Sequence, residues 1–253
     1  MIQPSADTLT MPGCDEPAKG GLLRWLLAAT IALLPVQLET AFDLRFAPAD
    51  LFLILALLLG VFVWRGVRSA WSPWHFGLLG LLVVGVFAKS LFGVVTQFDF
   101  VNKLGGLILL FSFYGCLTTV ADGWGDLRRF MRIFVISVTV QNTASCAAFL
   151  WCKYTGSDDP LLMMLLSGSV DRLAGMLVDP NAYGGLLTVA FAMALLGGDS
   201  QSPLLPRSLQ IISLLSLSIG LLLTSSRSAW IGCAFLMLFG VMQNPRLLRR
   251  SRC

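Results

Sequence analysis

Two short segments carry side chains that could bind an anion. The first runs Arg172-Leu-Ala-Gly-Met-Leu-Val-Asp-Pro-Asn-Ala-Tyr183. Asp179 is a helix-capping residue, and Pro180 would then take the first helical position, where its missing N–H costs nothing. Asn181 would fall in the first turn. The second segment, Thr224-Ser-Ser-Arg-Ser-Ala-Trp230, reads as a tight hairpin between two helices. There Ser225 or Ser226 can cap the second helix, and Arg227 stands in its first turn. A helix N-terminus offers unpaired N–H groups and the positive end of the dipole, a ready setting for a phosphate or carboxylate. Arginine adds a bidentate fork for phosphate oxygens. The plainer alternatives are that Arg172 pairs with Asp171 or Asp179, and that Arg227 stretches to the lipid headgroups.

Positioning these segments is the task of the rest of the chain. Of its 253 residues 56% are hydrophobic and 13% charged, with a mean hydropathy of +0.79. That is too little charge to cover a soluble surface. The expected fold is all-α: a polytopic transmembrane helix bundle of about eight spans. Runs long enough to cross about 30 Å of hydrocarbon fall near 22–38, 48–64, 74–92, 102–121, 129–152, 181–197, 208–224 and 227–242. Lipid offers backbone groups no partners, and the alternation of an outer-membrane barrel is absent, so helices are the spanning form. Residues 1–21 read as a disordered cytoplasmic tail, 22–243 as the bundle and 244–253 as a basic cytoplasmic tail. The run 22–38 is expected to be a retained helix rather than a cleaved signal, because no small-residue cleavage site follows it.

Charge sets the orientation. With the N-terminus cytoplasmic, twelve of the eighteen Lys and Arg residues fall inside, including Arg24, Arg128, Arg129, Arg132 and Arg207, as the positive-inside rule requires. Arg45, Lys89, Lys103, Lys153, Arg172 and Arg227 fall outside or within the bundle. The acids Glu39, Asp43, Asp99, Asp158, Asp159, Asp171 and Asp179 also fall outside, and most tryptophans mark span ends. Both termini are then cytoplasmic, and both anion-binding segments face outward. The longest outer loop, 153–180, contains an apolar stretch at 161–166 that is too short to span. It is expected to lie in the interface or to pack on the bundle.

Other chemistry is sparse. No Cys/His cluster or CxxC spacing indicates a metal site or disulfide framework, and no cofactor is implied. No basic stripe with interleaved aromatics suggests nucleic acid. Lys103 and Lys89 could add positive charge near the outer face. Arg45 and Asp50 flank the second span. Gly77, Gly80, Gly85, Gly105, Gly106, Gly184, Gly185 and Gly220 read as close helix packing, and Gln141 and Asn142 as hydrogen-bond partners between helices.

The two segments together, "RLAGMLVDPNAYGGLL" and then "TSSRSAWIG" after two spans, resemble the O-antigen ligase/polymerase family of bacterial envelope enzymes. The early "FDLRFAPADLFLILALLL" resembles it more faintly. The resemblance implies a multi-pass protein of the bacterial inner membrane. Such an enzyme would take a glycan from undecaprenyl diphosphate at the periplasmic face and join it to an acceptor sugar, such as a lipid A core or growing glycan. It is similar in style to a metal-independent glycosyltransferase that uses no nucleotide sugar. Carried over, Arg172 and Arg227 would hold the departing diphosphate, Asn181 would orient it, and Lys103, Ser226 and Asp179 would support it. The family carries about a dozen spans and an outer loop with a histidine expected to act as base. This chain resembles its front two-thirds, and its one histidine, His75, falls at the cytoplasmic end of the third expected span, so no catalytic base is assigned. The rival readings are a transporter or flippase for an anionic lipid or solute, and a non-catalytic membrane scaffold.

Overall fold

Proline opens several of the helices. Pro17, Pro48, Pro160 and Pro180 each stand at a first helical position, where the ring's fixed φ is already helical. In the computed structural model the described residues are 17–39, 45–63, 77, 80–81, 83–85, 87–88, 91, 97–121, 123–156, 159–166, 171–177, 179–197 and 203–243. They form an all-helical protein: α1 (Pro17–Leu33), α2 (Pro48–Val63), α3 (Gln97–Val120), α4 (Trp124–Thr155), α5 (Pro160–Leu165), α6 (Pro180–Leu196), α7 (Arg207–Thr224) and α8 (Arg227–Gln243). The described residues between 77 and 91 are helical as well. A two-residue antiparallel ladder, β1 (Leu38–Glu39) with β2 (Arg45–Phe46), joins α1 to α2 and pairs Leu38 with Phe46.

Helix ends depart from the expected spans where local chemistry overrides hydropathy. The first helix was expected over 22–38 with a disordered tail before it. It begins instead at Pro17 and stops at Leu33, because a residue before proline, here Pro35, is pushed out of the helical region. The fifth expected span, 129–152, belongs to a helix of 32 residues from Trp124 to Thr155, about 48 Å at 1.5 Å per residue. Its charged first turns are helical, though too polar to register as apolar span. Gly156, at φ 65, closes it in the left-handed conformation. Asp50 reaches back to accept from the Ala47 N–H at 3.2 Å, a capping contact at the start of α2.

Helix α4 is the spine. Its first half joins α1, α2 and α3 in a cluster built on Leu23, Leu27, Ile31, Ala56, Cys116 and Phe130. Its second half joins α5, α6, α7 and α8 around Val138, Phe149, Leu187, Phe191, Leu217 and Ala229. The apolar stretch near 161–166 packs on the bundle: α5 lies against α4, Leu166 is fully buried, and the Ser145 hydroxyl donates to the Leu165 carbonyl at 3.1 Å.

Polar side chains are buried within the apolar core, while large apolar ones face outward. Asn142, Ser145, Thr224 and Ser226 are fully buried, with Gln141, Thr139 and Ser213 nearly so. Ile212, Leu215 and Leu222 on α7 and Phe235 and Leu238 on α8 are more than half exposed. Buried hydroxyls are satisfied locally, as when Thr30, Thr139 and Thr188 donate to the carbonyl four residues earlier. Among the described residues two helices, α4 and α7, are long and apolar enough to cross a membrane, and five further apolar helical stretches run to 10–17 residues.

Close packing at glycine is narrower than expected. Among the described residues a Cβ at Gly184 would press on Ala229 and Ser226, and one at Gly220 on Asn142. At Gly77, Gly80, Gly85, Gly105, Gly106 and Gly185 it would meet nothing within 4 Å. Gly77, Gly80, Gly85, Gly106 and Gly185 lie on exposed helix faces, so spacing alone misassigned them.

Candidate functional site

The loop before α6 and the hairpin after α7 meet at one end of the bundle. Asp179 is extended (φ −108, ψ 118), and its carboxylate accepts from the Asn181 N–H at 2.8 Å, with Pro180 at the first helical position. The capping expected of this motif is therefore what the chain does. Across from it, α7 ends at Ser225, which takes the left-handed conformation at φ 50, ψ 30. Ser226 follows as the cap of α8. Its buried hydroxyl accepts from the Ala229 N–H at 3.4 Å, and its carbonyl accepts from the Trp230 N–H at 3.1 Å.

Arg172 ties the two segments together. Its Nε donates to the Thr224 carbonyl at 2.9 Å, and one terminal nitrogen donates to the Ser225 carbonyl at 3.1 Å and the Asn181 side-chain oxygen at 3.4 Å. The neighbouring Leu173 N–H donates to the Leu223 carbonyl at 3.1 Å. Arginine thus satisfies the carbonyls that α7 leaves open at its C-terminus, where the helix dipole favours a cation. Among the described residues no ion pair joins Arg172 to Asp171 or Asp179, so the simple pairing alternative does not hold. A guanidinium has five N–H donors, and the second terminal nitrogen of Arg172 has no acceptor among the described residues.

Arg227 begins two residues after the Ser225 carbonyl that Arg172 holds. Its side chain is exposed and has no hydrogen bond or ion pair among the described residues. Arg172, Asn181, Asp179, Ser226 and Arg227 therefore share one end of the α6–α7–α8 unit. Lys103 lies on α3, but its side chain falls outside the described residues. His75 and Lys89 fall outside them altogether.

Beneath the loop lies a polar support that the spacing of the motifs did not reveal. Asn142 of α4 donates to the Ser216 carbonyl and hydroxyl of α7 at 2.7 and 3.0 Å and accepts from the Tyr183 hydroxyl of α6 at 3.0 Å. It is the interhelical partner expected of it. Gln141 is not: its amide donates within α4 to Ser145 at 3.4 Å, and its side-chain oxygen is buried without a partner. The strand of loop above it turns at Gly175, whose φ is +59 and whose missing Cβ would stand 2.6 Å from the Tyr183 ring and 2.9 Å from the Gln141 amide. Gly175 was visible within the motif, but only its positive φ and the ring beside it explain why a side chain is forbidden there.

Two modest effects follow from the hairpin. Ser226→Ala removes the cap of α8 and should lower stability by about 1 kcal/mol. Ser225→Gly relieves a serine held in the left-handed region and should raise it by about 1 kcal/mol. Thermal unfolding in detergent reads both, and equal effects of the same sign would contradict the geometry. Arg172, Asn181, Arg227 and the capped starts of α6 and α8 form a polar, cationic rim suited to a phosphate-bearing ligand. No family model, curated protein or solved structure matches the chain.

Proposed function

We propose that the chain is a multi-pass protein of the bacterial inner membrane, of about eight spans with both termini cytoplasmic. In this reading it is an O-antigen ligase/polymerase-type enzyme. It binds undecaprenyl diphosphate-linked glycan at its periplasmic end and passes the glycan to an acceptor sugar. Three features support the membrane reading: the many exposed large apolar side chains, the run of apolar helices, and the excess of Lys and Arg on one side of them. A row of exposed Ile, Leu and Phe on α7 and α8 is costly against water and natural against lipid.

The observation that carries the catalytic reading is the bridge from Arg172 to Asn181 and to the Ser225 carbonyl. It joins the two motifs of the family resemblance, 53 residues apart, into one cationic rim with Arg227 beside it. When an acceptor hydroxyl attacks the anomeric carbon, the bond to the diphosphate breaks, negative charge collects on that leaving group, and the hydroxyl proton passes to the released diphosphate or to water. Guanidinium groups and helix N-termini fixed there beforehand stabilise the charge without reorganising. Arg172 is held by three acceptors, so its other terminal nitrogen, without an acceptor among the described residues, is pre-oriented. Arg227, exposed beside it, supplies the second guanidinium.

The test uses the full chain in proteoliposomes with an undecaprenyl diphosphate-linked oligosaccharide and an acceptor glycan. A new glycosidic bond and released undecaprenyl diphosphate support the reading. Movement of the lipid across the bilayer with no new bond would assign the same arginines to a transporter. Neither event, with no retention of the diphosphate lipid, would sink both. A single cysteine placed at Asp171 should react with a membrane-impermeant reagent from the periplasmic side only, and one at Arg129 from the cytoplasmic side only.

A further inference from the structure

The opposite end of the same helices carries a second cationic feature, built differently. Arg128, Arg129 and Arg132 stand in the first turns of α4, with 128 and 132 one turn apart on the same face. With Gly125, Asp126 and Pro203 they line a hollow of about 390 Å³. The acid in this hollow is already engaged, since Asp126 forms an ion pair with Arg24 at 3.2 Å. Arg132 donates through Nε to the Leu204 carbonyl at 2.7 Å, which fixes the joint before α7. Arg129 is exposed and makes no hydrogen bond or ion pair among the described residues.

A second, apolar groove of about 570 Å³ adjoins this hollow and shares Arg128 with it. Trp124, Arg128 and Met131 form its α4 wall, at spacings that keep them on one face over two turns. Ala192, Met193 and Leu196 form its α6 wall, and Leu204 closes one side. Its size lies within the roughly 300–1,000 Å³ of ordinary ligand pockets. Apart from Arg128 its walls are apolar. A cationic hollow therefore opens into a hydrocarbon slot, with one guanidinium at the junction.

We propose that this pair of compartments binds an anionic phospholipid of the inner leaflet, its phosphate on Arg128, Arg129 and Arg132 and one acyl chain in the groove between α4 and α6. Basic pockets between helices at the cytoplasmic side hold anionic headgroups by this combination of charge and level in the bilayer. Charge favours an anionic over a zwitterionic lipid: among the described residues lining the hollow, three guanidiniums stand with one carboxylate, Asp126, which also pairs with Arg24, so positive charge is in excess. The groove excludes a bare anion as the preferred occupant, because a free phosphate leaves the apolar slot unfilled. The proposal rests on the membrane reading above and is independent of glycan transfer.

Native mass spectrometry of the full chain, delipidated in detergent, tests it with phosphatidylglycerol, phosphatidylcholine of the same chain length, and inorganic phosphate. Phosphatidylglycerol should be retained well above the other two. Arg129→Gln, a change at an exposed side chain, should weaken that retention roughly fivefold. Ala192→Phe fills the groove and should weaken phosphatidylglycerol while leaving inorganic phosphate unchanged. Helical circular dichroism checks that each variant is folded, and Arg129→Lys should restore most of the binding if Arg129→Gln acts through charge. Equal retention of the two lipids overturns the proposal, as does indifference to both variants. Inorganic phosphate bound as well as the lipid overturns the lipid assignment. Parallel reconstitution separates the two readings: if the chain fails to insert into phosphatidylglycerol-containing vesicles at all, the membrane reading itself falls. Insertion without preference for the anionic lipid defeats this inference alone.

Discussion

Arg227→Ala should cut glycan transfer, or binding of the diphosphate lipid, by roughly a hundredfold to a thousandfold on the proposed reading, while leaving the unfolding temperature within about a degree of the parent. The contrast comes from how its side chain is held. Arg227 is exposed and unbonded among the described residues, and α8 starts at Ser226 whether or not the guanidinium is present. Removing Arg172 is a different experiment. Arg172→Ala leaves the Thr224 and Ser225 carbonyls without their donor, and hydrogen bonds from a charged group are worth about 1.5–3 kcal/mol each to break. The Thr224 bond is only part-buried and the Ser225 bond exposed, so water replaces much of both; that variant should lose about 2 kcal/mol of stability along with transfer, and its inactivity alone would not identify a binding residue. Arg172→Lys keeps the charge but cannot span three acceptors, and should fall between the two. Measured side by side, transfer and thermal unfolding separate the roles. Parent-level transfer by Arg227→Ala would remove the diphosphate assignment.

Helix positions were readable because apolar runs of about 17 residues or more have few other uses. Each expected run is helical over most of its described residues, the first only as far as Leu33. Their ends were not readable to the same degree. Hydropathy sees only the apolar stretch, so it missed the polar first turns of α4 and the Pro17 start of α1. The caps at Asp179 and Ser226 were readable, because capping is decided within three residues. What the sequence could not show is that Arg172 finds its acceptors 9, 52 and 53 residues away. That arrangement depends on where α7 ends relative to the loop, a tertiary fact. The polar group Gln141-Asn142-Thr143 in an apolar run was a fair signal of buried hydrogen bonds. It could not tell Asn142, which joins three helices, from Gln141, which stays on its own.

This polar support explains how a loop of small and apolar residues keeps one shape. Arg172 holds one end of it to α7, and Asp179 fixes the other end at α6. Between them Gly175 turns over the Tyr183 ring, and Tyr183 in turn rests its hydroxyl on Asn142. The rim that would meet a ligand is therefore coupled to the α4–α7 contact a turn or more below it. A disturbance of that contact should reach the rim through Tyr183, without any change in a charged residue.

Gly220→Ala is the sharpest such disturbance. A Cβ there would run into the Asn142 carboxamide, with Cγ at 2.7 Å and the amide nitrogen at 2.8 Å. Asn142 cannot simply rotate away, because its amide is bonded to Ser216 and its oxygen to Tyr183. Overpacking costs about 1–3 kcal/mol, and each buried interhelical hydrogen bond lost adds about 0.6 kcal/mol in a membrane protein. Gly220→Ala should therefore lower stability by about 3 kcal/mol. Asn142→Ala alone should cost about 2 kcal/mol, through the lost bonds and the space left behind. Combined, the two substitutions should cost about as much as Asn142→Ala alone, since the methyl group at 220 enters room that the asparagine has vacated. Unfolding of the four proteins in detergent, taken as a double-mutant cycle, measures this directly. Additive losses would mean that Gly220 and Asn142 do not touch, and the support beneath the Arg172 loop would have to be built some other way.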